Sequence, residues 1–205
     1  MSGNHGSAMI EPVTIERWQQ AQVAERATHT KNMEDGIHHY RIAYSHNFRY
    51  LDIDPNERQI GVVEVGCADF PALRYCKETE NCFIVEPMPS EYLKLFCNAN
   101  DISLIKTPFE EIYGNYSWHR CEIWMFNVLQ HVQDPEKFIS VAKKAKTVRY
   151  FEPIDTGTAP YHPHSFTKDD FDRWFPGVNK YYNETTNQCF HNGPCCYGVY
   201  KNPLC

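Results

Sequence analysis

The sequence has no apolar run approaching the roughly 18 to 20 residues that a membrane-spanning helix requires, and no charged-then-apolar leader. A soluble, cytoplasmic protein is the expectation. It also lacks basic excess: 20 Lys and Arg against 26 Asp and Glu leave a formal net charge of −6. Nucleic-acid backbones normally demand a basic face, so nucleic acid is not the expected partner, although a local basic groove stays compatible with this balance. There are nine cysteines but no Cys-x-x-Cys pair, and an odd number cannot pair off completely. Reduced thiols are expected and no metal is assigned, even though Cys189, Cys195, Cys196 and Cys205 crowd the tail around His191. Cys67, Cys76, Cys82, Cys97 and Cys121 fall in expected core elements, where cysteine acts as a small hydrophobe. The full Gly-x-Gly-x-x-Gly turn of dehydrogenase-type dinucleotide sites is missing too.

What is present suffices for one core: 205 residues, 42% hydrophobic and 14% aromatic. Residues 1–13 carry no periodicity and are expected to be disordered. Residues 14–205 then form one domain, with a helical cover over 14–58 and an α/β core over 59–205. The chain turns on Ile60 to Phe70, which reads Ile-Gly-Val-Val-Glu-Val-Gly-Cys-Ala-Asp-Phe. The β-branched run to Val65 predicts a strand buried on both faces. Gly66 lets the backbone turn tightly, and Asp69 with Pro71 predicts a helix start. About 20 residues beyond Gly66, a second strand, Cys82 to Glu86, ends in a carboxylate suited to two ribose hydroxyls. Further strands fit Ile102–Lys106, Cys121–Phe126 and Thr147–Glu152, with two more over Gly177–Asn183 and Cys195–Lys201.

Helix starts are legible at Thr14, Ser90, Asp134-Pro135 and Thr167 followed by Asp170. A helix over 36–51 has Ile37, Tyr40, Tyr44, Phe48 and Leu51 on one face. Its histidines, His38, His39 and His46, either touch substrate or stand exposed on a cover over the sheet edge. Strands alternating with helices at these intervals indicate right-handed βαβ units and an open sheet.

Residues 60–152 resemble a class I S-adenosylmethionine-dependent methyltransferase. The resemblance rests on Glu64-Val-Gly66, on Glu86, and most specifically on Asn127 to Pro135, Asn-Val-Leu-Gln-His-Val-Gln-Asp-Pro. It implies an open, mostly parallel seven-stranded sheet with helices on both faces, an antiparallel edge strand and preceding N-terminal helices. It implies S-adenosylmethionine as cofactor, met by Glu64, Gly66, Cys67, Ala68, Glu86, Pro87, Met88, Thr107, Pro108, Phe109 and Asn127. One departure is that Ala68 and Phe70 stand where later glycines are usual; Phe70 either crowds the methionine end or marks the edge of the turn. The implied reaction is methyl transfer to a small molecule, such as a hydroxyl of a sugar-like metabolite. A hydroxyl acceptor needs a base, and His131, His162 and His164 are the candidates. The alternatives are a nucleic-acid methyltransferase, disfavoured because Asn127-Val-Leu-Gln130 lacks an Asn/Asp-Pro-Pro-aromatic tetrad, and a non-catalytic binding domain of the same fold.

Overall fold

The computed structural model describes residues 9–29, 33–112, 118–182 and 193–205. Two helices come first, α1 (Ile15–His29) and α2 (Met33–Tyr50). Then follow β1 (Arg58–Ile60), β2 (Val62–Val65), β3 (Glu78–Glu80), β4 (Phe83–Val85), α3 (Glu91–Ala99) and β5 (Ser103–Ile105). The second half carries β6 (Glu122–Phe126), α4 (Pro135–Ala142), β7 (Thr147–Pro153), α5 (Lys168–Trp174), β8 (Lys180–Tyr182) and β9 (Cys195–Lys201). Seven strands make one sheet in the order β5-β4-β2-β6-β7-β9-β8. The first five are parallel, and the antiparallel strand is β9, placed between β7 and the edge strand β8.

Strand periodicity sorts the core into two layers. Val63, Val65, Ile123, Met125, Val148 and Tyr150 face α4 and α5, meeting Phe138, Val141, Phe171 and Phe175. The alternate residues Val62, Ile84, Trp124, Phe126 and Phe151 face α2 and α3, meeting Tyr44, Phe48, Leu51 and Leu93. Both faces of the central strands are thus buried, as a parallel sheet requires. The helix starts expected at Thr14, Ser90, Asp134 and Thr167 are in place. Thr14 Oγ1 accepts from the Arg17 amide at 3.2 Å and Ser90 Oγ from Leu93 at 3.1 Å. Asp134 accepts from Lys137 at 3.0 Å, and Thr167 with Asp170 closes a capping box.

Three expectations need correction. The strand over 60–65 is interrupted at Gly61, whose φ of +65° turns the chain. β1 leaves the main sheet and pairs with β3 in a separate two-stranded sheet. No α-helix follows the Gly66 turn; Ala72–Tyr75 make only a 3-10 turn. The Lys77 amide bonds the Pro55 carbonyl at 2.7 Å and the Tyr75 hydroxyl bonds the Ile37 carbonyl at 2.9 Å. The chain must therefore return at once to form β3, and α2 covers the face a longer crossover helix would have taken. Finally, residues 9–13 are tied down rather than loose. Ile10 donates its amide to Glu136 at 3.1 Å, and Val13 donates to the Gln133 carbonyl at 3.0 Å.

Of the tail cysteines, Cys195 and Cys196 are buried in β9 and Cys205 is exposed, while Cys189 and His191 lie outside the described residues. Among the described residues there is no cluster of His, Cys, Asp or Glu arranged to hold a metal. None of their helices is long and apolar enough to cross a membrane.

Candidate active site

The carboxyl ends of β2, β4, β5 and β6 open on one cavity. In chain order the sheet grows outward from β2 in opposite directions, so the cavity lies at a topological switch point. Val65, Gly66, Ala68 and Asp69 form its floor, and Val85, Glu86, Pro87 and Met88 one wall. Pro108, Phe109 and Glu110 line it from the loop after β5, and Val128, His131 and Val132 from the loop after β6.

Gly66 has φ +66°, and a Cβ there would lie 2.0 Å from Val128 Cγ2. Only glycine permits this approach. Ala68 holds the left-handed conformation at φ +49°, a backbone shape that favours glycine, at a cost of about 1 kcal/mol. Phe70 does not reach the cavity. It is 1% exposed and stacks on Tyr40 with ring centroids 4.5 Å apart, while Gly36 of α2 packs against its ring. The Phe70 ring thus serves the α2 interface and leaves the turn open.

Three buried carboxylates brace the loops. Glu64 accepts from Ala72 at 2.5 Å and Leu73 at 3.0 Å, beneath the turn and away from the cavity. Glu152 accepts from Val128 at 2.9 Å and Leu129 at 3.1 Å, fixing the loop after β6. Glu86 accepts from Ala68 at 3.1 Å and Met88 at 3.2 Å, so it joins the turn to the next loop while lining the cavity. Burial pushes the Glu64 and Glu86 carboxyls up to about 7 and that of Glu152 up to about 8, against the pull of their amide donors.

Glu64 and Glu152 therefore bind protons more tightly in the folded protein than in the unfolded chain. Their stabilising contribution is complete below pH about 4.5 and is lost as the pH rises through about 7 and 8. Each pH unit between folded and unfolded values corresponds to about 1.4 kcal/mol. Urea unfolding should give a free energy that falls from pH 5 to pH 8.5, with a shallower fall in Glu152→Gln. A rise over that range would contradict this assignment.

The cavity is roofed by α1 through Trp18, Gln22, Glu25 and Arg26. Its donors end on backbone carbonyls at the rim. Trp18 Nε1 and Gln22 Nε2 both reach the His131 carbonyl, at 3.0 and 2.9 Å. Arg26 donates to the Met88 carbonyl at 2.7 Å, and Arg17 to the carbonyls of Ala159 and Pro160 at 2.7 Å. These α1 residues, Asp69 and Glu110 are among the lining positions that sequence reasoning did not assign to the site. The narrow apolar stripe of α1, Ile15, Trp18, Ala21 and Ala24, puts Trp18 and Ala21 on the inner face, but gives no sign that the polar Gln22, Glu25 and Arg26 also face inward.

The three candidate bases differ in their surroundings. His131 lines the cavity, but both ring nitrogens are engaged. Nδ1 lies 2.9 Å from the Tyr161 carbonyl and 3.1 Å from Glu25 Oε2, and Nε2 lies 3.2 Å from Gln130 Nε2. His162 packs edge-on against that ring, with centroids 4.8 Å apart, and is half-buried. His164 is 5% exposed, stacks on Phe166 and lies off the cavity lining, where burial pushes its pKa down. Cys67 and Asn127 also stay off the lining. Cys67 is buried toward α2, and Asn127, at φ +62°, accepts from Gln130 at 2.8 Å. Thr107 is half-buried beside the lining residues Pro108 and Phe109.

His131 thus ties the roof to the loop after β7. Replacing it with alanine should speed amide exchange in α1 about tenfold or more, since each lost hydrogen bond is worth about 1.5 kcal/mol. Exchange in β2 and β6 should hold. Equal exchange in α1 would show that the helix is held by other contacts.

No protein-family model matches the chain, and no curated protein matches its sequence significantly. Solved structures do match its fold. One is the 1,6-didemethyltoxoflavin-N1-methyltransferase of Burkholderia thailandensis with 1,6-didemethyltoxoflavin and S-adenosylhomocysteine bound. Its TM-score is 0.61 at 9% identity, covering 95% of this chain and 94% of that one. The chain has the fold of S-adenosylmethionine-dependent methyltransferases. A second methyltransferase of this fold is the N-methyltransferase NodS of Bradyrhizobium japonicum, in complex with S-adenosylhomocysteine. It matches with TM-score 0.57 at 13% identity over 91% of this chain and 98% of that one. A chain of the complex between the Haloferax volcanii Trm112 methyltransferase activator and a putative methyltransferase matches with TM-score 0.59 at 14% identity, covering 93% and 99%. The methyltransferase fold accounts for the strand order, including β9 reversed beside β7.

Proposed function

We propose that the chain is an S-adenosylmethionine-dependent methyltransferase acting on a small-molecule acceptor. The observation that carries this reading is the meeting of the Gly66 turn, the Glu86 carboxylate and the Pro108–Phe109 wall in one roofed cavity. The donor set fits an adenosine: Glu86 would hold the ribose hydroxyls, and Pro87, Met88, Pro108 and Phe109 would flank the base. Gly66 and Ala68 would bring their backbone against the methionine part. When bound, the cofactor supplies a methyl group on a sulfonium, already a good leaving group. The protein's own work is to orient the acceptor and exclude water, and the α1 roof serves both.

A helix across the mouth suits a small acceptor better than a polymer, and the net charge of −6 works against nucleic acid. With His131 engaged on both sides and His164 sealed in the core, a base for a hydroxyl acceptor would fall to His162. The test of the whole reading is ligand stabilisation. S-adenosylhomocysteine at 100 times its Kd should stabilise the native state by about 2.7 kcal/mol, raising the melting temperature, while NAD leaves it unchanged. Stabilisation by NAD alone would discard the methyltransferase reading.

A further inference from the structure

The turn that carries His162 is closed by its own backbone. The Ala159 amide bonds the His162 carbonyl at 2.8 Å, and the His162 amide returns to the Ala159 carbonyl at 3.1 Å, with Pro160 setting the bend. Little apolar burial holds this turn, since residues 155–158, 160 and 161 are exposed. Three successive carbonyls are instead taken by side chains from two other parts of the fold. Arg17 of α1 donates Nη2 to Ala159 and Nη1 to Pro160, both at 2.7 Å. His131 Nδ1 lies 2.9 Å from the Tyr161 carbonyl and 3.1 Å from Glu25 Oε2, two acceptors, so it carries a proton and donates. The Asp155 amide bonds the Phe166 carbonyl at 2.8 Å and the Gly157 amide bonds Ser165 Oγ at 2.9 Å, which fixes the base of the loop rather than its tip. Arg17 has no carboxylate partner among the described residues, so its guanidinium is committed to the two carbonyls. A planar fork of donors holds two neighbouring acceptors in one orientation, which a point charge cannot do.

We propose that Arg17 is a positioning residue for methyl transfer: by clasping the Ala159–His162 turn to the roof, it fixes His162 beside His131 when α1 closes over the cofactor. The helix that carries Arg17 also lines the cavity with Trp18, Gln22, Glu25 and Arg26, so one rod joins ligand contact to the placing of His162. The His162 ring rests edge-on against that of His131, with centroids 4.8 Å apart. This rests on the methyl-transfer reading and adds an order to it, with the cofactor bound first and the acceptor's base set second. Coupling of this kind is reciprocal, so a ligand that steadies the roof also steadies the turn.

The test needs no acceptor. In wild type, saturation with S-adenosylhomocysteine should slow amide exchange at Ala159 and His162 by about tenfold or more. It should also shift the His162 imidazole resonance in the NMR spectrum, which is identified by its absence from His162→Gln. In Arg17→Gln, S-adenosylhomocysteine should still slow exchange in α1, while the slowing at Ala159 and His162 shrinks to within about threefold. The imidazole resonance should then no longer respond to the ligand. Undiminished slowing at the turn in Arg17→Gln would overturn the proposal. So would loss of slowing in α1 and the turn together, which would make Arg17 a support of the whole roof. No change at Ala159 and His162 when wild type binds S-adenosylhomocysteine would overturn it as well, and that comparison stands even where the variant fails to fold. Failure of S-adenosylhomocysteine to bind wild type would instead strike the methyl-transfer reading itself.

Discussion

Replacing Gly66 with alanine should abolish cofactor binding and destabilise the protein by about 2 to 5 kcal/mol. Two costs add in this variant. The new Cβ would stand 2.0 Å from Val128 Cγ2, far inside contact distance, and overpacking of this kind costs about 1 to 3 kcal/mol. The φ of +66° adds left-handed strain, worth about 1 to 2 kcal/mol for a residue with a Cβ. Val128 cannot easily step aside, because its amide is held at 2.9 Å by the buried Glu152 carboxylate. Relief has to come from moving the turn, which is the part of the floor the methionine portion would meet. Thermal unfolding with and without S-adenosylhomocysteine measures both effects. A variant with wild-type stability and an undiminished ligand response would show that the turn tolerates a side chain.

Glu86→Gln should weaken S-adenosylhomocysteine binding by about 1 to 3 kcal/mol, roughly 5- to 150-fold, because two ribose hydroxyls lose a charged acceptor. The pH dependence gives a sharper readout than the magnitude. In the free protein burial raises the Glu86 carboxyl to about 7, with the charges of Glu25 and Asp69 adding to the rise. The ionised form is the one that accepts both hydroxyls. Wild-type affinity should therefore increase as the pH rises through about 7 and level off above it, while the affinity of Glu86→Gln stays flat. Titration calorimetry at pH 6 and pH 8 suffices. A flat wild-type profile with unchanged affinity in the variant would place the ribose elsewhere.

The parts of this protein legible in its sequence are those with local physical causes. β-branched runs ending at Gly66 and Glu86 mark strands buried on two faces, and side-chain acceptors at Thr14, Ser90, Asp134 and Thr167 mark helix starts. Strand and helix alternation then leaves few topologies open. What the sequence could not reveal depends on residues far apart in the chain. Asp69 and Pro71 read as a helix start, yet pairing of β3 with β1 and the packing of α2 allow only a 3-10 turn there. Phe70 reads either as an obstruction or as the edge of the turn until Gly36 and Tyr40 are seen to draw it away from the cavity. His131 reads as a candidate base or as a structural residue until Glu25, Tyr161 and Gln130 are found around its ring. The narrow apolar stripe of α1, Ile15, Trp18, Ala21 and Ala24, only partly marks its inner face, because Gln22, Glu25 and Arg26 also face the cavity; the helix is positioned by side-chain donors reaching carbonyls more than 60 residues away, such as that of Met88. Local propensity determined where elements begin and which faces they bury, while the direction of each side chain in the cavity was decided only when the sheet brought four loops and the roof together.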